Sequence, residues 1–298
     1  EGRQRFTFLT GISKFSKVSI FSDLNNLNDM TMERSCATLF GYTPEEVVKN
    51  LPGLLHRFAE ANGLTDAQGL AEIERWYDGY LFHPKAEQVI NPVSLGCCLK
   101  STELRNYWST TAMTTFLMDE LKRRPLNFAK VDVDESVLGT YEPDKADFTT
   151  LLFQTGYLTI RGFQQRGAAR RYTLDFPNLE VENSFLRQVV PAYTGQEQNR
   201  ANDIQADAVD ALYAGEPEKF VAALKRLFAN IPYDLTDRQN EQMWQAIVYV
   251  ILKMIGVAAE AEVKTNEGRI DMALETPEHG YVVEFKLGTS AAAAIAQI

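Results

Sequence analysis

Two carboxylates and a lysine near the end of the sequence have the types and spacing of a hydrolytic site. Residues 269–274 alternate polar with apolar side chains, which predicts a strand with Asp271 on its polar face. Glu284 and Lys286 are two residues apart in a second such run, so they share one strand face. The turn residues 275–280 between the runs predict an antiparallel hairpin that brings Asp271 alongside Glu284.

This grouping would suit the hydrolysis of a phosphodiester. Two neighbouring carboxylates repel each other unless a cation lies between them, and Mg²⁺ is usually held by one or two carboxylates together with substrate phosphate. Lys286 would orient or deprotonate a water, or stabilise the charge that grows on the phosphate. A surface hairpin with a merely solvated polar face fits the same residues, because an acid followed by Glu-x-Lys is a loose pattern.

Several segments, this hairpin included, resemble one known group of proteins. Asp271, Glu284 and Lys286 resemble the active-site signature of the PD-(D/E)XK nuclease superfamily, and more narrowly its bacterial branch fused to an AAA-ATPase-like domain. Gly268 and Arg269 stand before the first acid as in that signature. The other matching segments are residues 10–15, 24–27, 76–80, 91–92, 106–108, 154–159 and 177–181. The resemblance implies that Asp271 and Glu284 bind Mg²⁺ or another divalent metal and that Lys286 assists catalysis.

The resemblance also implies three supporting residues. Glu241, at the start of a predicted helix over 241–255, matches an acid that assists metal binding, although an acid in a first turn also complements the helix dipole by about 0.3–1 kcal/mol. Glu262, on the strand that leads into the hairpin, is a second candidate of the same kind. Gln297 matches an amide that holds the substrate or the catalytic lysine.

Nucleotide binding has weaker support. The apolar run 5–9 predicts a buried strand, and the resemblance implies that it ends near nucleotide phosphates, with Thr10 or Ser13 beside them. A loop hydroxyl that caps a turn explains either residue equally well. The phosphate-loop pattern G-x-x-x-x-G-K-[ST] does not occur in the chain, so we expect this chain alone to bind ATP poorly. Because it begins with Glu1 and stops at Ile298 within the matching helix, we expect a protein truncated at both ends.

Periodicity predicts a mostly helical α/β chain with three parts. These are residues 1–105, the C-terminal portion of an AAA-ATPase-like domain; residues 106–235, a mainly helical linking domain with a small β-hairpin; and residues 236–298, an incomplete restriction-endonuclease-like α/β core. One predicted helix begins at residue 43. The others span 66–76, 93–101, 114–123, 148–155, 180–193, two segments within 203–229, 241–255 and 290–298. Strands are predicted at 157–163 and 171–175 around the loop 164–167.

Composition bounds the class of protein. The 298 residues are 45% hydrophobic and 23% charged, an ordinary globular balance. The net charge of −10 argues against a nucleic-acid binder with a broad basic surface. From Asp237 onward there are nine acids and five bases, so metal ions would have to offset phosphate repulsion. Three cysteines without metal-ligand spacing, no signal peptide and no apolar run near ~18 residues predict a reduced, cytoplasmic protein outside the membrane.

Two functions remain open at this point. The first is a metal-dependent nuclease module, attached to an AAA-ATPase-like domain, whose substrate is nucleic acid and first of all DNA. The alternative is a nucleotide-regulated interaction or switch protein that self-associates through the AAA-like part and keeps a degenerate nuclease fold. A stand-alone ATPase is a third option, weakened by the missing phosphate loop.

Overall fold

The regular elements of this mixed α/β chain are mainly helices, with two small antiparallel sheets. The computed structural model describes residues 6–11, 28–108, 131–138, 148–194, 198–229, 248, 249, 252, 258–264 and 269–284. The helices are α1 (Pro44–Asn50), α2 (Pro52–Ala61), α3 (Asp66–Tyr77), α4 (Pro92–Ser101), α5 (Phe148–Gln154), α6 (Leu179–Thr194), α7 (Gln198–Tyr213) and α8 (Pro217–Phe228). The strands are β1 (Val131–Asp134), β2 (Thr159–Arg166), β3 (Ala169–Asp175), β4 (Ala258–Lys264), β5 (Arg269–Glu275) and β6 (Gly280–Val283).

The chain divides into two compact units, each made of two stretches of sequence. Unit 1 comprises Glu1–Ala112 and Lys130–Glu182, and unit 2 comprises Met113–Ala129 and Asn183–Ile298. The domain boundaries predicted after residues 105 and 235 stay predictions.

Helices α1 to α4 pack around the main core of unit 1. Its buried side chains recur at the three- and four-residue spacing of a helix face, and each contributes about 1.5–3 kcal/mol by leaving water. They are Val47, Leu55, Phe58, Ile73, Tyr77, Ile90, Leu95, Cys98 and Leu99. The predicted helices over 66–76 and 93–101 are confirmed within one residue at each end.

The predicted helix from residue 43 is two helices in the structure. Its apolar stripe runs through Leu51 to Leu55, but Pro52 has no N–H and its ring disfavours the helical conformation at the preceding residue. Leu51 accordingly has φ −126° and ψ 33°, so α1 ends at Asn50 and Pro52 opens α2. The apolar spacing fits the helices on both sides of the break, and Pro52 determines where the break lies.

Thr43 and Glu46 form a capping box at the start of α1. Glu46 N donates to Thr43 Oγ1 at 3.2 Å, and Thr43 N donates to Glu46 Oε2 at 3.0 Å. Each side chain thus satisfies a backbone donor that the helix itself leaves unpaired.

Thr43→Ala should lower the free energy of unfolding by about 1 kcal/mol, because Glu46 N loses its acceptor. Thr43→Ser, which keeps the oxygen, should stay close to the parent. Urea denaturation of both variants checks this, and equal stability of the Ala variant and the parent would contradict the cap.

The first sheet lies in unit 1 with the strand order β1-β3-β2, all pairs antiparallel. The predicted strand pair is confirmed, although the loop expected at 164–167 is only a two-residue turn between Arg166 and Ala169. Gly167 has φ +62°, and Ala168 has no positive φ, as in a type II′ hairpin turn. β1 has no counterpart among the predicted elements.

The buried strand predicted at residues 5–9 is wrong over its described part, 6–9. Phe6, Phe8 and Leu9 have no regular secondary structure and are 80%, 47% and 52% exposed. An apolar run becomes a strand only when a neighbouring strand pairs with its N–H and C=O groups, and none of the described residues does so here. Phe8 instead meets the ring of Phe40, with centroids 5.9 Å apart.

Unit 2 contains the helix pair α7 and α8 and the second sheet. The two predicted helices within 203–229 are confirmed, and their facing side chains are buried, among them Ile204, Leu212, Phe220 and Leu227. The sheet has the order β4-β5-β6, again antiparallel throughout.

Some predictions fall outside the described residues. The helix predicted over 114–123 and the one over 290–298 lie there entirely, and so does all of 241–255 except residues 248, 249 and 252. Among the residues that are described, no helix is long and apolar enough to cross a membrane.

Candidate active site

The second sheet has one apolar and one polar face. On the central strand β5, Met272 and Leu274 are 0% and 1% exposed, whereas the alternate residues Asp271 and Ala273 are half-buried. The alternation predicted for residues 269–274 is therefore confirmed. Because directly opposite residues of neighbouring strands share a face, the polar face continues from β5 onto the strands at both sides.

Asp271 and Glu284 lie across from each other. The β5–β6 register ends at the pair Met272–Val283, and Asp271 and Glu284 are the next residues along the two segments, which places them opposite each other. Asp271 N donates to Glu284 Oε1 at 3.3 Å, so the second carboxylate reaches the backbone of the first acid. Both side chains are half-buried. The antiparallel hairpin that was predicted to bring these two residues together is present.

A third acidic position lies in the same row. The β4–β5 register pairs Ala261 with Met272 and Val263 with Ile270, so residue 262 between them lies opposite Asp271. Positions 262, 271 and 284 thus form one row across the sheet, and the sequence has an acid at each. Sequence reasoning proposed Glu262 as a supporting acid on the preceding strand. It did not place Glu262 opposite Asp271, because strand pairing cannot be derived from periodicity.

The turn of this hairpin is well ordered by its own residues. Thr276 N donates to His279 O at 2.8 Å, and His279 N donates to Thr276 Oγ1 at 3.0 Å. The turn also contacts the helix pair: Tyr281 Oη donates to Leu212 O at 2.5 Å, and a Cβ on Gly215 would lie 2.8 Å from His279 Nε2. These contacts hold the strand that leads to Glu284.

Four other candidate residues lie outside the part of the chain that the structure describes: Ser13, Glu241, Lys286 and Gln297. Thr10 lies in an exposed, irregular segment. The structure therefore joins Asp271, Glu284 and position 262, and the roles of the remaining candidates stay predictions.

A comparison with known protein families identifies the region that contains the second sheet. The family model described as the PD-(D/E)XK nuclease superfamily matches residues 239–298, which include the whole sheet. Residues 239–298 form a PD-(D/E)XK nuclease superfamily domain. Nucleases of this superfamily generally use divalent metals.

A protein of Azotobacter chroococcum mcd 1 is similar over nearly the whole chain. It is described as "Uncharacterized protein in vnfD 5'region" and is 34% identical over 295 residues, which make up 95% of this chain and 54% of that protein. The chain thus spans about half the length of this relative. No solved structure matches the chain significantly.

The residues of the nuclease-superfamily domain fit a divalent cation in chemistry. Asp271 and Glu284 supply carboxylate oxygens from neighbouring strands, which are the donors that Mg²⁺ prefers. Within the described part of the chain no cluster of three or more His, Cys, Asp or Glu side chains is positioned to hold a metal. Asp271 and Glu284 are two such donors, one fewer than a cluster of this kind contains.

A second polar cluster, in unit 1, was missed by sequence reasoning. Glu180 is 0% exposed, and its carboxylate accepts hydrogen bonds from Ser94 Oγ at 2.7 Å and from the backbone N of Tyr107 and Trp108 at 2.7 and 3.0 Å. Burial raises the pKa of Glu180, and these three hydrogen bonds oppose the shift. Asn106 Nδ2 also donates to Glu180 O. Sequence reasoning treated Glu180 only as the start of a helix.

The segments joined by Glu180 are among those that carry the family resemblance. A neighbouring close approach involves Gly79, whose φ is +120° and where a Cβ would lie 2.0 Å from Pro177 O. Only glycine fits there, since any side chain would collide with the backbone. The matching segments 76–80, 106–108 and 177–181 thus meet in unit 1, where their contacts hold the packed structure together.

Proposed function

We propose that the protein is a metal-dependent nuclease that hydrolyses phosphodiester bonds of nucleic acid, first of all DNA. The observation that carries the proposal is the register that brings Asp271 opposite Glu284 inside a domain of the nuclease superfamily. Such a pair of carboxylates on one face of a sheet has the oxygen donors that a catalytic divalent cation requires.

Asp271 and Glu284 are the proposed metal ligands. A bound Mg²⁺ or other divalent ion would supply Lewis acidity and a more acidic bound water. Asp271 is held by the central strand, and Glu284 by the hydrogen bond from Asp271 N. Glu262 is the favoured supporting acid, because its position lies in the same row. Glu241 remains a second candidate by resemblance.

A row of basic positions lies beside the row of acids. The β4–β5 register pairs Lys264 with Arg269, two residues along each strand from positions 262 and 271 and therefore on the same face. Lys286, two residues after Glu284, is expected on that face from the alternation of its predicted strand. Three cationic residues would then offset the negative balance of the domain and bind a substrate phosphate.

The other expectations that follow from the family resemblance complete the proposal. Residues 1–105 would belong to an AAA-ATPase-like domain through which the protein self-associates, with Thr10 or Ser13 near nucleotide phosphates of the complete domain. Residues 106–235 would link it to the nuclease domain, where Gln297 holds the substrate or Lys286. A cytoplasmic location follows from the cysteine usage.

A cleavage assay tests the central proposal. Purified protein is incubated with single- and double-stranded DNA and RNA in Mg²⁺, in Mn²⁺ and in EDTA, and Lys286→Ala is run in parallel. We expect products only in the metal-containing samples and none with the Lys286 variant. Products in EDTA, or equal cleavage by the variant, would overturn it.

The acidic balance of the chain favours a second candidate, a nucleotide-regulated interaction or switch protein with a degenerate nuclease fold. It predicts nucleotide-dependent oligomerisation that light scattering detects, together with unchanged behaviour of the Lys286→Ala variant.

A further inference from the structure

The hairpin of β2 and β3 in unit 1 ends in a cationic ribbon. Residues 164–171 contain three arginines and two glutamines and no acid, and all eight are exposed. This stretch stands out in a chain whose net charge is −10. None of its side chains is large and apolar, so the tip has no hydrophobic reason to be covered by another element.

The base of the hairpin is firmly packed, whereas its tip is not. Tyr172 is 4% exposed and its ring lies 5.1 Å from that of Phe163. Thr173 Oγ1 donates to Asp132 Oδ1 at 2.6 Å, and Arg161 Nη2 donates to Phe176 O at 2.9 Å. The ribbon therefore projects its arginines from a rigid support.

Two of the arginines share one face of the ribbon. The register pairs Gln164 with Arg171 and Arg166 with Ala169, and residues two apart on a strand point the same way. Arg166 and Arg171 are thus neighbours on one face, while Arg170 belongs to the other. The small residues Gly167 and Ala169 leave the end of the ribbon narrow.

The nearby acids lie toward the base. Glu135 Oε1 pairs with Arg170 Nη1 at 2.9 Å, and Asp134 lies opposite Arg171 in the register. Within the described part of the chain, Arg166 and Arg171 make no ion pair. Their guanidinium groups are free to bind an external anion, and a guanidinium matches phosphate oxygens in a bidentate manner.

We propose that this ribbon, through Arg166 and Arg171, binds the phosphate backbone of duplex DNA. A two-stranded ribbon is narrow enough to lie along a DNA groove, and arginine and glutamine are the side chains that contact phosphates and base edges there. The inference rests on the proposed nuclease function for its substrate and supplies a binding surface outside the acidic nuclease-superfamily domain.

The test measures binding separately from cleavage. The anisotropy of a fluorescein-labelled DNA duplex is titrated with protein in EDTA at several KCl concentrations, for the parent, Arg166→Ala, Arg171→Ala and the double variant. Each lost phosphate contact should weaken binding several-fold and reduce the slope of log K against log salt by about 0.9. Arg166→Lys should retain the slope of the parent, because the charge is kept.

Lys225→Ala is the matched control, since Lys225 is an exposed cation on α8 in unit 2. It should leave both affinity and slope unchanged. An unchanged slope in the double variant, an equal loss with Lys225→Ala, or no duplex binding by the parent would overturn the ribbon. If the parent binds DNA through the ribbon but never cleaves it, the nuclease proposal fails and the ribbon proposal stands. If the protein cleaves DNA equally well without the two arginines, the ribbon proposal fails and the nuclease proposal stands.

Discussion

Asp271→Asn should lower metal-dependent cleavage by about 10³-fold, because a catalytic metal supplies several kcal/mol of transition-state stabilisation and each 1.36 kcal/mol is a factor of ten. The amide has nearly the shape of the carboxylate but not its charge, so it weakens the metal site without disturbing β5. Glu284→Gln should have an effect of the same order. The measurement is the single-turnover rate on a DNA substrate over a series of Mg²⁺ concentrations.

Glu275→Gln is the control for this series. Glu275 lies on the same strand and the same face, opposite Gly280, and is exposed. It should cleave at the parent rate with the parent's Mg²⁺ dependence. If Asp271→Asn and Glu275→Gln behave alike, the row of acids at position 271 does not bind the catalytic metal. Partial recovery of Asp271→Asn at high Mg²⁺ or Mn²⁺ would support direct ligation.

Glu180→Ala should lower the free energy of unfolding by about 2–4 kcal/mol. It leaves Ser94 Oγ and the backbone N–H groups of Tyr107 and Trp108 without their acceptor, and each orphaned buried donor costs about 1–3 kcal/mol. Removal of the buried charge offsets part of this loss. Glu180→Gln should retain most of the stability, because its Oε1 still accepts from the two N–H groups. Urea denaturation of the three proteins at neutral pH distinguishes these results.

The difference in stability between the parent and the Glu180→Gln variant should depend on pH, and the sign of this dependence follows from the pKa of Glu180. Burial raises the pKa of Glu180 above its ordinary value of 4.5, so between that value and the raised pKa the folded state binds more protons than the unfolded state. The stability of the parent therefore falls as pH rises through this interval, and it is regained as pH falls. The glutamine variant lacks this contribution. Its stability relative to the parent should be highest at neutral pH and decrease on acidification, and a pH-independent difference would contradict the raised pKa.

Local pattern was sufficient for most elements of the fold. Helix spacing predicted α3, α4, α5 and α6 closely, and it predicted α7 and α8 as two helices within 203–229, because a helix is stabilised by residues three and four apart. The break at Pro52 also has a local cause, although the apolar spacing on both sides of the proline favoured one continuous helix. Phe6 to Leu9 failed for the opposite reason, since a strand needs a partner that periodicity does not identify.

The cluster around Glu180 shows a second limit. A glutamate in the first turn of a helix favours an exposed position near the helix dipole. Here the partners of the carboxylate come from residues 94, 107 and 108, which are more than 70 positions away in the sequence. Burial with long-range donors, and the raised pKa that follows from it, appears only when the chain is folded.

For the candidate active site, the sequence by itself determined the residue types and the faces. Asp271 had to leave the side occupied by Met272 and Leu274, because neighbouring residues of a strand point in opposite directions. Only the tertiary structure decided which strands lie side by side and in which register. That pairing brings Asp271 opposite Glu284 and residue 262 into the same row. The sequence does not determine the pairing, because the hydrogen bonds that set the register join separate segments of the chain.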